Sequence, residues 1–335
     1  MKYKHVIGID ISKKSIDLCL LQEGGIIESS QTNNQSKSII LALKQISEGN
    51  KIDLRDVLLC AEYTGRYGAQ LIKVCLENQL HLWIEHPGHI KLSQGMKRGK
   101  DDRKDAERIA IYAYRFMDRV NLISLEEATF DKLSYLCSER DLLVTDRAKF
   151  KAQIKDEKDF IDAELYQRKK KRYERLIKDL SKAIDEVEKE IQLFIDGDKK
   201  LSRKFDILMS IDGIGQQVAI QTLVATKGFT KFSNPRKFSC HAGCAPFRYS
   251  SGSSIRSRPK VSNRANKKLK QLFHMAALSS IAMKGGMQEY YHRKVAEGKS
   301  KMSVINAIRS KLISIMFALI RDNRKYQKNY MPALP

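Results

Sequence analysis

The stretch 125–196 limits the possible folds most, because it contains neither proline nor glycine and is rich in charged residues. Apolar residues in its second half follow a 3-4-3-4-3 spacing, which is the heptad seam of packed helices: Ile177, Leu180, Ile184, Val187, Ile191 and Phe194. We therefore predict two long helices here. They pack either as an antiparallel hairpin within one chain or as a coiled coil between chains.

The helical stretch separates two segments of different composition, so we predict three domains, at residues 1–122, 123–200 and 201–335. Of the net charge of +23, +20 falls on residues 201–335, where 25 Lys and Arg stand against 5 Asp and Glu. Such a concentration of positive charge indicates a nucleic-acid partner, with an anionic membrane surface or an acidic protein as the alternative. We predict no membrane-spanning stretch and no signal peptide. The six cysteines are spread through apolar segments, which favours reduced thiols in a cytoplasmic protein.

Acidic residues in the first segment mark a candidate metal site. Strand-like runs alternate there with helical periodicity, which predicts an α/β domain with a partly parallel sheet. Asp10 and Glu62 each end such a run, at the sheet edge where α/β proteins bind ligands. Asp102 and Asp105 share one face at the start of a predicted helix, where helix capping is the alternative interpretation. If the four carboxylates converge, they supply oxygen ligands for Mg²⁺, with room for two ions that clamp a phosphoryl group.

The third segment is predicted to be mostly helical, with two features that suit a phosphate. Gly213 and Gly215 lie in a helix-hairpin-helix-like turn, where backbone N–H groups can approach a phosphate, although a plain tight turn is the alternative. Ser250 and Ser251 precede Gly252, and a serine there is able to attack a phosphodiester, although a surface loop is the alternative. The bases expected to bind phosphates are Arg248, Arg256, Arg258, Lys260, Arg264, Lys267 and Lys268.

Short motifs in both halves resemble one family in the same order along the chain. Gly8-Ile9-Asp10, Glu62-Tyr63-Thr64-Gly65 and Asp102-Arg103-Lys104-Asp105-Ala106 match its acidic motifs, with Asp101 where threonine is usual. Ala242-Gly243-Cys244-Ala245-Pro246, Ser251-Gly252 and the basic stretch from Asn263 follow its second region, although Asn263-Arg264-Ala265-Asn266 stands where Lys-x-Gly-Asn is usual. On these residues the chain resembles the IS110-type insertion-sequence transposases, or DEDD recombinases.

The resemblance implies a fold, a reaction and partners. It implies a RuvC-like domain of the RNase H type, a coiled-coil spacer and a helical C-terminal domain. Asp10, Glu62, Asp102 and Asp105 would bind Mg²⁺, and Ser251, with Ser250 as the fallback, would form a covalent phosphoserine link during DNA recombination. The implied partners are donor and target DNA, a noncoding guide RNA from the same element, and further copies of the chain in a dimer or a tetramer. The implied location is the bacterial cytoplasm, at the nucleoid.

Two other functions fit the same residues. In a metal-dependent, structure-selective nuclease of the Holliday-junction type, water attacks the phosphate and Ser251 is merely a loop residue. In a non-catalytic nucleic-acid-binding scaffold, the acids do no chemistry. The effects of replacing Ser251 and the acids distinguish these functions from recombination.

Overall fold

The computed structural model describes residues 3–93, 102–246, 250–251, 255–256, 261–263 and 265–328. At residues 102–103, 125–128, 250–251 and 255–256 it describes the backbone alone. The chain forms two units, Met1–Ala128 and Thr129–Pro335. The division into three domains at 122/123 and 200/201 stays a prediction.

A mixed sheet of five strands forms the centre of the first unit. The strands are β1 (His5–Ile11), β2 (Ser15–Gln22), β3 (Gly25–Asn33), β4 (Val57–Glu62) and β5 (His81–Glu85), in the order β3-β2-β1-β4-β5. The first three are antiparallel neighbours joined by short turns, whereas β4 and β5 run parallel to β1. Parallel pairing requires crossover connections, and helices supply them. The predicted partly parallel sheet is confirmed.

Helices cover both faces of this sheet. They are α1 (Ser36–Asn50), α2 (Ala69–Glu77), α3 (Pro87–Ser93) and α4 (Asp102–Arg115). Side chains alternate along each strand, so Ile7 and Ile9 face a core that includes residues of α1 and α2, while Val6 faces a core that includes residues of α4. We call the second side the α4 face. It carries the even-numbered residues of β1, and therefore Asp10.

Gly8 sets how closely α4 approaches the sheet. A Cβ atom at Gly8 would lie 2.7 Å from the Cα of Ala110, so the backbone of α4 crosses β1 where no side chain fits. We expect Gly8→Ala to lower the free energy of unfolding by about 3 kcal/mol, because the helix must move away from the strand. Urea unfolding checks this expectation. Gly49→Ala, at an exposed site in the last turn of α1 with nothing within 4 Å, is the control and is expected to stabilise slightly.

The second unit begins with an antiparallel helical hairpin. Its helices are α5 (Leu125–Asp156) and α6 (Ala163–Asp196). Arg140 pairs with Glu188 at 2.6 Å, and the rings of Phe150 and Tyr173 lie 5.0 Å apart. Of the two packings that the heptad seam allows, the chain therefore forms the hairpin within one molecule. The seam residues Ile184, Val187 and Ile191 are buried, while Ile177, Leu180 and Phe194 are half-buried.

Six further helices complete the second unit. They are α7 (Lys199–Met209), α8 (Gln216–Thr226), α9 (Pro235–His241), α10 (Lys267–Ala282), α11 (Gly286–Ala296) and α12 (Lys301–Arg321), with a small ribbon of β6 (Ser250–Ser251) and β7 (Ile255–Arg256). One apolar core joins the base of the hairpin to these helices and includes Leu133, Ile191, Phe238, Phe273 and Met316. The prediction of a mostly helical segment is confirmed in the described residues.

Helix α12 corrects one expectation from the sequence. By length and composition it is apolar enough to cross a membrane, so the prediction that no such stretch exists is wrong on those criteria. Eight of its residues are buried, all but Arg309 of them in the apolar core: Val304, Ile305, Ile308, Arg309, Leu312, Ile313, Met316 and Leu319. A core helix of a globular unit also satisfies these criteria, which explains the composition.

Candidate active site

Two of the predicted acids lie side by side at the ends of parallel strands. In the register of β1 and β4, Ile9 lies opposite Ala61, so Asp10 and Glu62 are the next residues of each strand. Both lie on the α4 face, because Asp10 follows Gly8 and Glu62 follows Cys60 by two residues. Both side chains are half-buried. This is the sheet edge at which the sequence places a ligand site.

Helix α4 brings a third acid to the same edge. Asp105 is half-buried and pairs with Arg108 at 2.5 Å. It lies one residue before Ala106, which packs against Gly8, and its charge acts on Glu62. Asp102 is the first residue of α4, but its side chain lies outside the described residues. The structure thus gathers Asp10, Glu62 and Asp105 on one side of the sheet.

The environment of Glu62 disfavours its negative charge. Burial raises the pKa of Glu62, the neighbouring Asp105 raises it further, and His86 partly opposes both effects. Carboxylates held close together in a partly buried place fit a divalent cation, since a cation offsets their repulsion. Among the residues whose side chains are described, no three His, Cys, Asp or Glu groups are close enough to hold a metal ion. Metal binding by the four acids therefore stays a prediction.

The raised pKa of Glu62 gives a test that does not need activity. The folded chain binds this proton more tightly than the unfolded chain does, so the stabilisation from Glu62 is lost as the pH rises through its raised pKa. In metal-free buffer we expect Glu62→Gln to raise the melting temperature at pH 7. The difference from the wild type should shrink as the pH falls below about 4. Glu77→Gln, at an exposed site on α2, is the control. A melting temperature of Glu62→Gln below the wild-type value at pH 7 would contradict this interpretation.

Two further acids lie on the α4 face that the sequence patterns did not mark as candidate site residues. Glu85 ends β5 directly opposite Glu62, and it accepts hydrogen bonds from the hydroxyl of Tyr112 at 3.1 Å and the backbone N–H of His86 at 2.6 Å. Asp17 lies opposite Asp10 on β2 and is fully buried. The rule that selected Glu62, an acid at the end of a predicted strand, also selects Glu85. Asp17 has no such signal, because it lies inside an apolar run.

Asp17 and Glu85 are each held by hydrogen-bond partners. The side-chain amide of Gln31 lies 3.1 and 3.2 Å from the two carboxylate oxygens of Asp17. The carboxylate of Glu85 also lies 2.9 Å from Nδ1 of His89. Both carboxylates therefore have hydrogen-bond partners within their own unit. They frame the site of Asp10, Glu62 and Asp105 on its two flanks.

The serine segment is a two-stranded ribbon in the second unit. Ser251 lies opposite Ile255, and Ser250 lies opposite Arg256, in antiparallel pairing of β6 and β7. The side chains of these residues are not described, and the predicted phosphate-binding residues Arg248, Arg258, Lys260 and Arg264 lie outside the described residues. The backbone places Ser251 as the last residue of β6. The role of its hydroxyl stays a prediction.

The remaining predicted phosphate contacts have different surroundings. Lys267 is exposed at the start of α10, whereas Lys268 pairs with Asp141 of α5. Gly213 has a left-handed φ of +86°, and a Cβ atom there would lie 2.6 Å from the backbone nitrogen of Ser280. Packing against α10 thus accounts for this glycine without a phosphate. Gly215 caps the start of α8 and meets nothing within 4 Å, so the helix terminus there has room for an anion.

Two family models match the chain. The model for DEDD transposases of IS110 elements, described as "Transposase", matches residues 7–157, which include Asp10, Glu62 and Asp105. The model described as "Transposase IS116/IS110/IS902 family" matches residues 205–292, which include Ser251. Together the two matched regions span more than half of the chain.

Individual proteins are similar to the chain as well. The pilin gene-inverting proteins of Moraxella bovis and Moraxella lacunata are each 27% identical over 97% of this chain and 98% of their own length. A protein of insertion element IS110 from Streptomyces coelicolor is 30% identical over 38% of this chain and 31% of its own. The structure of T. thermophilus RuvC with a Holliday junction substrate aligns with 36% of this chain and 100% of its own, at 10% identity and a TM-score of 0.27, which supports no further inference.

Proposed function

The chain belongs to the IS110 family of transposases and is a DNA-cleaving recombinase, and from that premise we propose that it exchanges DNA strands through a covalent bond to Ser251. One observation carries the proposal. Asp10 and Glu62 lie side by side on the α4 face at the carboxyl ends of adjacent parallel strands, and the charge of Asp105 on α4 acts on Glu62, all within the region that the DEDD transposase model matches. The same chain carries Ser251 in the second matched region.

The proposed chemistry is a pair of transesterifications. The Oγ atom of Ser251 gives up its proton and bonds to phosphorus, while the bond from phosphorus to one deoxyribose oxygen breaks and that oxygen takes up a proton. A hydroxyl of the exchanging strand then attacks the phosphoserine and releases Ser251. The number of phosphate ester bonds is the same before and after, so the exchange needs no nucleotide hydrolysis.

Each part of the site has a separate task in this scheme. Asp10, Glu62, Asp102 and Asp105 bind a divalent cation, Mg²⁺ in our proposal, with room for two ions. When bound, the cation offsets the charge that develops on the phosphate oxygens. The bases around Ser251 hold the DNA backbone, and the excess of +20 in residues 201–335 suits that task.

Further partners rest on the family resemblance alone. We propose that donor and target DNA are selected by a noncoding RNA encoded beside the gene, and that the chain works as a dimer or a tetramer at the bacterial nucleoid. The gene inversion in the names of the Moraxella relatives agrees with recombination between DNA sites. The charge of the chain permits RNA binding but does not demand it.

A recombination assay in vitro tests the proposal. Purified protein is incubated with Mg²⁺, donor and target plasmids and the RNA transcribed beside the gene, and the new junctions are amplified and sequenced. We expect junctions when all components are present, and none when EDTA replaces Mg²⁺. Omission of the RNA tests the guide separately. Junctions formed without the RNA would contradict the RNA guide but would leave the proposed recombinase function standing. Cleavage without joined products would contradict the proposed exchange.

A further inference from the structure

A buried arginine in the second unit has no acidic partner among the described residues. Arg309 lies on α12 and is only 6% exposed. Its Nη2 atom contacts Nδ1 of His274 on α10 at hydrogen-bond distance, while its Nε atom is enclosed and has no acceptor in the described part of the chain. A guanidinium only donates, so Nδ1 of His274 must accept, and the imidazole carries its proton on Nε2. Arg309 therefore fixes the tautomer of His274.

No carboxylate in the described part of the chain pairs with Arg309. All five acids of residues 201–335 are described, and four of them pair with other bases: Asp206 with Lys325, Asp212 with Lys328, Glu297 with Lys294, and Asp322 with Arg321 and Arg324. The fifth, Glu289, has no ion pair with Arg309 or another base among the residues that the structure describes. A buried charge without a counter-charge is unfavourable, and no acid among the described residues pairs with this one, so an external anion would stabilise it.

Arg309 and His274 lie beside the segment that leads to Ser251. The hydroxyl of Ser310, the next residue on α12, donates to the backbone carbonyl of Cys244 at 3.3 Å. Burial raises the pKa of Cys244 to about 11, and the charges of Arg309 and Lys270 oppose that rise, so both bases are near this thiol. Cys244 precedes Ser251 by seven residues in the chain.

The three bases extend from the surface to the interior. Lys270 is exposed and lies one helical turn before the half-buried His274 on α10, with Arg309 buried beside His274. A Cβ atom at Gly243 would lie 3.3 Å from the Cδ of Lys270, so the lysine stem lies against this segment. Burial and Arg309 lower the pKa of His274, which keeps the imidazole neutral and its Nε2–H a donor.

We propose that Lys270 and His274 bind one phosphate group of a DNA strand, and that Arg309 supplies the buried charge and holds His274 in the donor tautomer. Lys270 provides an ammonium group and His274 an Nε2–H donor, which is the chemistry that phosphate oxygens bind. Arg309 is a positioning residue in this site. The inference rests on the proposed function only for the identity of the polyanion as DNA.

The salt dependence of DNA binding tests the site. Binding of a DNA duplex by chains with Ser251→Ala is measured in EDTA over a range of salt concentrations, so failure of strand exchange does not affect the result. Loss of one phosphate contact reduces the slope of log K against log salt by about 0.9. We expect that reduction, with a several-fold loss of affinity, in both Lys270→Met and Arg309→Met. Arg321→Met, on an exposed and surface-paired residue of α12, is the control and should leave the slope unchanged.

Thermal unfolding separates this role from a structural one. Since no carboxylate of the described ranges pairs with Arg309, Arg309→Met should keep or raise the melting temperature. A lower melting temperature with an unchanged slope would make Arg309 structural and overturn the proposal. If Arg309→Met does not fold, Lys270→Met decides, because its site is exposed, and an unchanged slope there also overturns the proposal.

Inorganic pyrophosphate distinguishes a DNA phosphate from a free one. Millimolar pyrophosphate is expected to raise the melting temperature of the wild type more than that of Lys270→Met. If pyrophosphate has this effect but Lys270→Met leaves the salt dependence of DNA binding unchanged, the site binds free phosphates, and the assignment to DNA fails. If the wild type exchanges strands while Lys270→Met shows an unchanged salt dependence of DNA binding, that pair of results refutes this site and leaves the proposed function standing.

Discussion

Replacement of Ser251 by alanine is expected to abolish the covalent protein–DNA adduct and to slow strand exchange by at least about a thousandfold. The methyl group of alanine cannot form a phosphate ester, so the first transesterification has no nucleophile. The measurement is the yield of recombinant junctions over time, together with the fraction of protein shifted by DNA on a denaturing gel. Binding of DNA in EDTA should change little, because the bases of the second unit remain.

The control for this experiment is Ser314→Ala. Ser314 is exposed on α12, and its hydroxyl donates to the backbone carbonyl of Ser310 in its own helix at 3.0 Å. We expect wild-type exchange from this variant. Ser250→Ala identifies the nucleophile, since loss of the adduct in Ser250→Ala but not in Ser251→Ala would transfer the role to Ser250. Cleavage at the wild-type rate by Ser251→Ala would favour the junction nuclease, in which water attacks.

The second large effect is expected at Glu62. Glu62→Gln removes one carboxylate from the α4 face but keeps the shape of the side chain, so strand cleavage should fall by about a thousandfold while DNA binding persists. The same change is expected to raise the melting temperature of the metal-free chain at pH 7, as argued from its raised pKa. Such a pair of results would show that the Glu62 carboxylate supports activity while it lowers the stability of the fold.

A matched acid outside the site is the control for Glu62. Glu77 ends α2, is exposed, and lies 3.9 Å from Lys73 on the same helix. Glu77→Gln should cleave DNA at the wild-type rate. Full activity of Glu62→Gln, and of Asp105→Asn beside it, would remove the acids from the chemistry and favour the scaffold function. Replacement of Mg²⁺ by Mn²⁺ in the same cleavage assay tests which divalent cation supports cleavage.

Local sequence patterns predicted most of the elements in both units. The positions of Asp10 and Glu62 near strand ends followed from short apolar runs that each end on an acid, and the mostly helical character of residues 201–335 was predicted as well. The position of α4 did not follow, because it depends on the absence of a side chain at Gly8, which only the packed structure reveals. The convergence of Asp105 with Glu62 is a tertiary fact of the same kind.

Local sequence patterns did not specify two other tertiary features, the partner of the heptad seam and the burial of Arg309. A heptad seam indicates that a helix has a helical partner but not which chain provides it. The hairpin of α5 and α6 is therefore evident only from tertiary contacts such as that of Arg140 with Glu188. Arg309 occupies a helix position that a sequence pattern treats as an ordinary charged residue. Its burial depends on the segment at Cys244 and on α10, which come from distant parts of the chain.

The identity of the amino acid that bonds to DNA decides between recombinase and nuclease. Adduct formed with Mg²⁺, DNA and the adjacent RNA is digested with protease and nuclease, and the modified peptide is sequenced by mass spectrometry. We expect a nucleotide phosphate on Ser251 in the wild type, and no modified peptide from Glu62→Gln. Cut DNA with no modified peptide, or a phosphate on a residue outside the serine segment, would show that Ser251 is not the nucleophile.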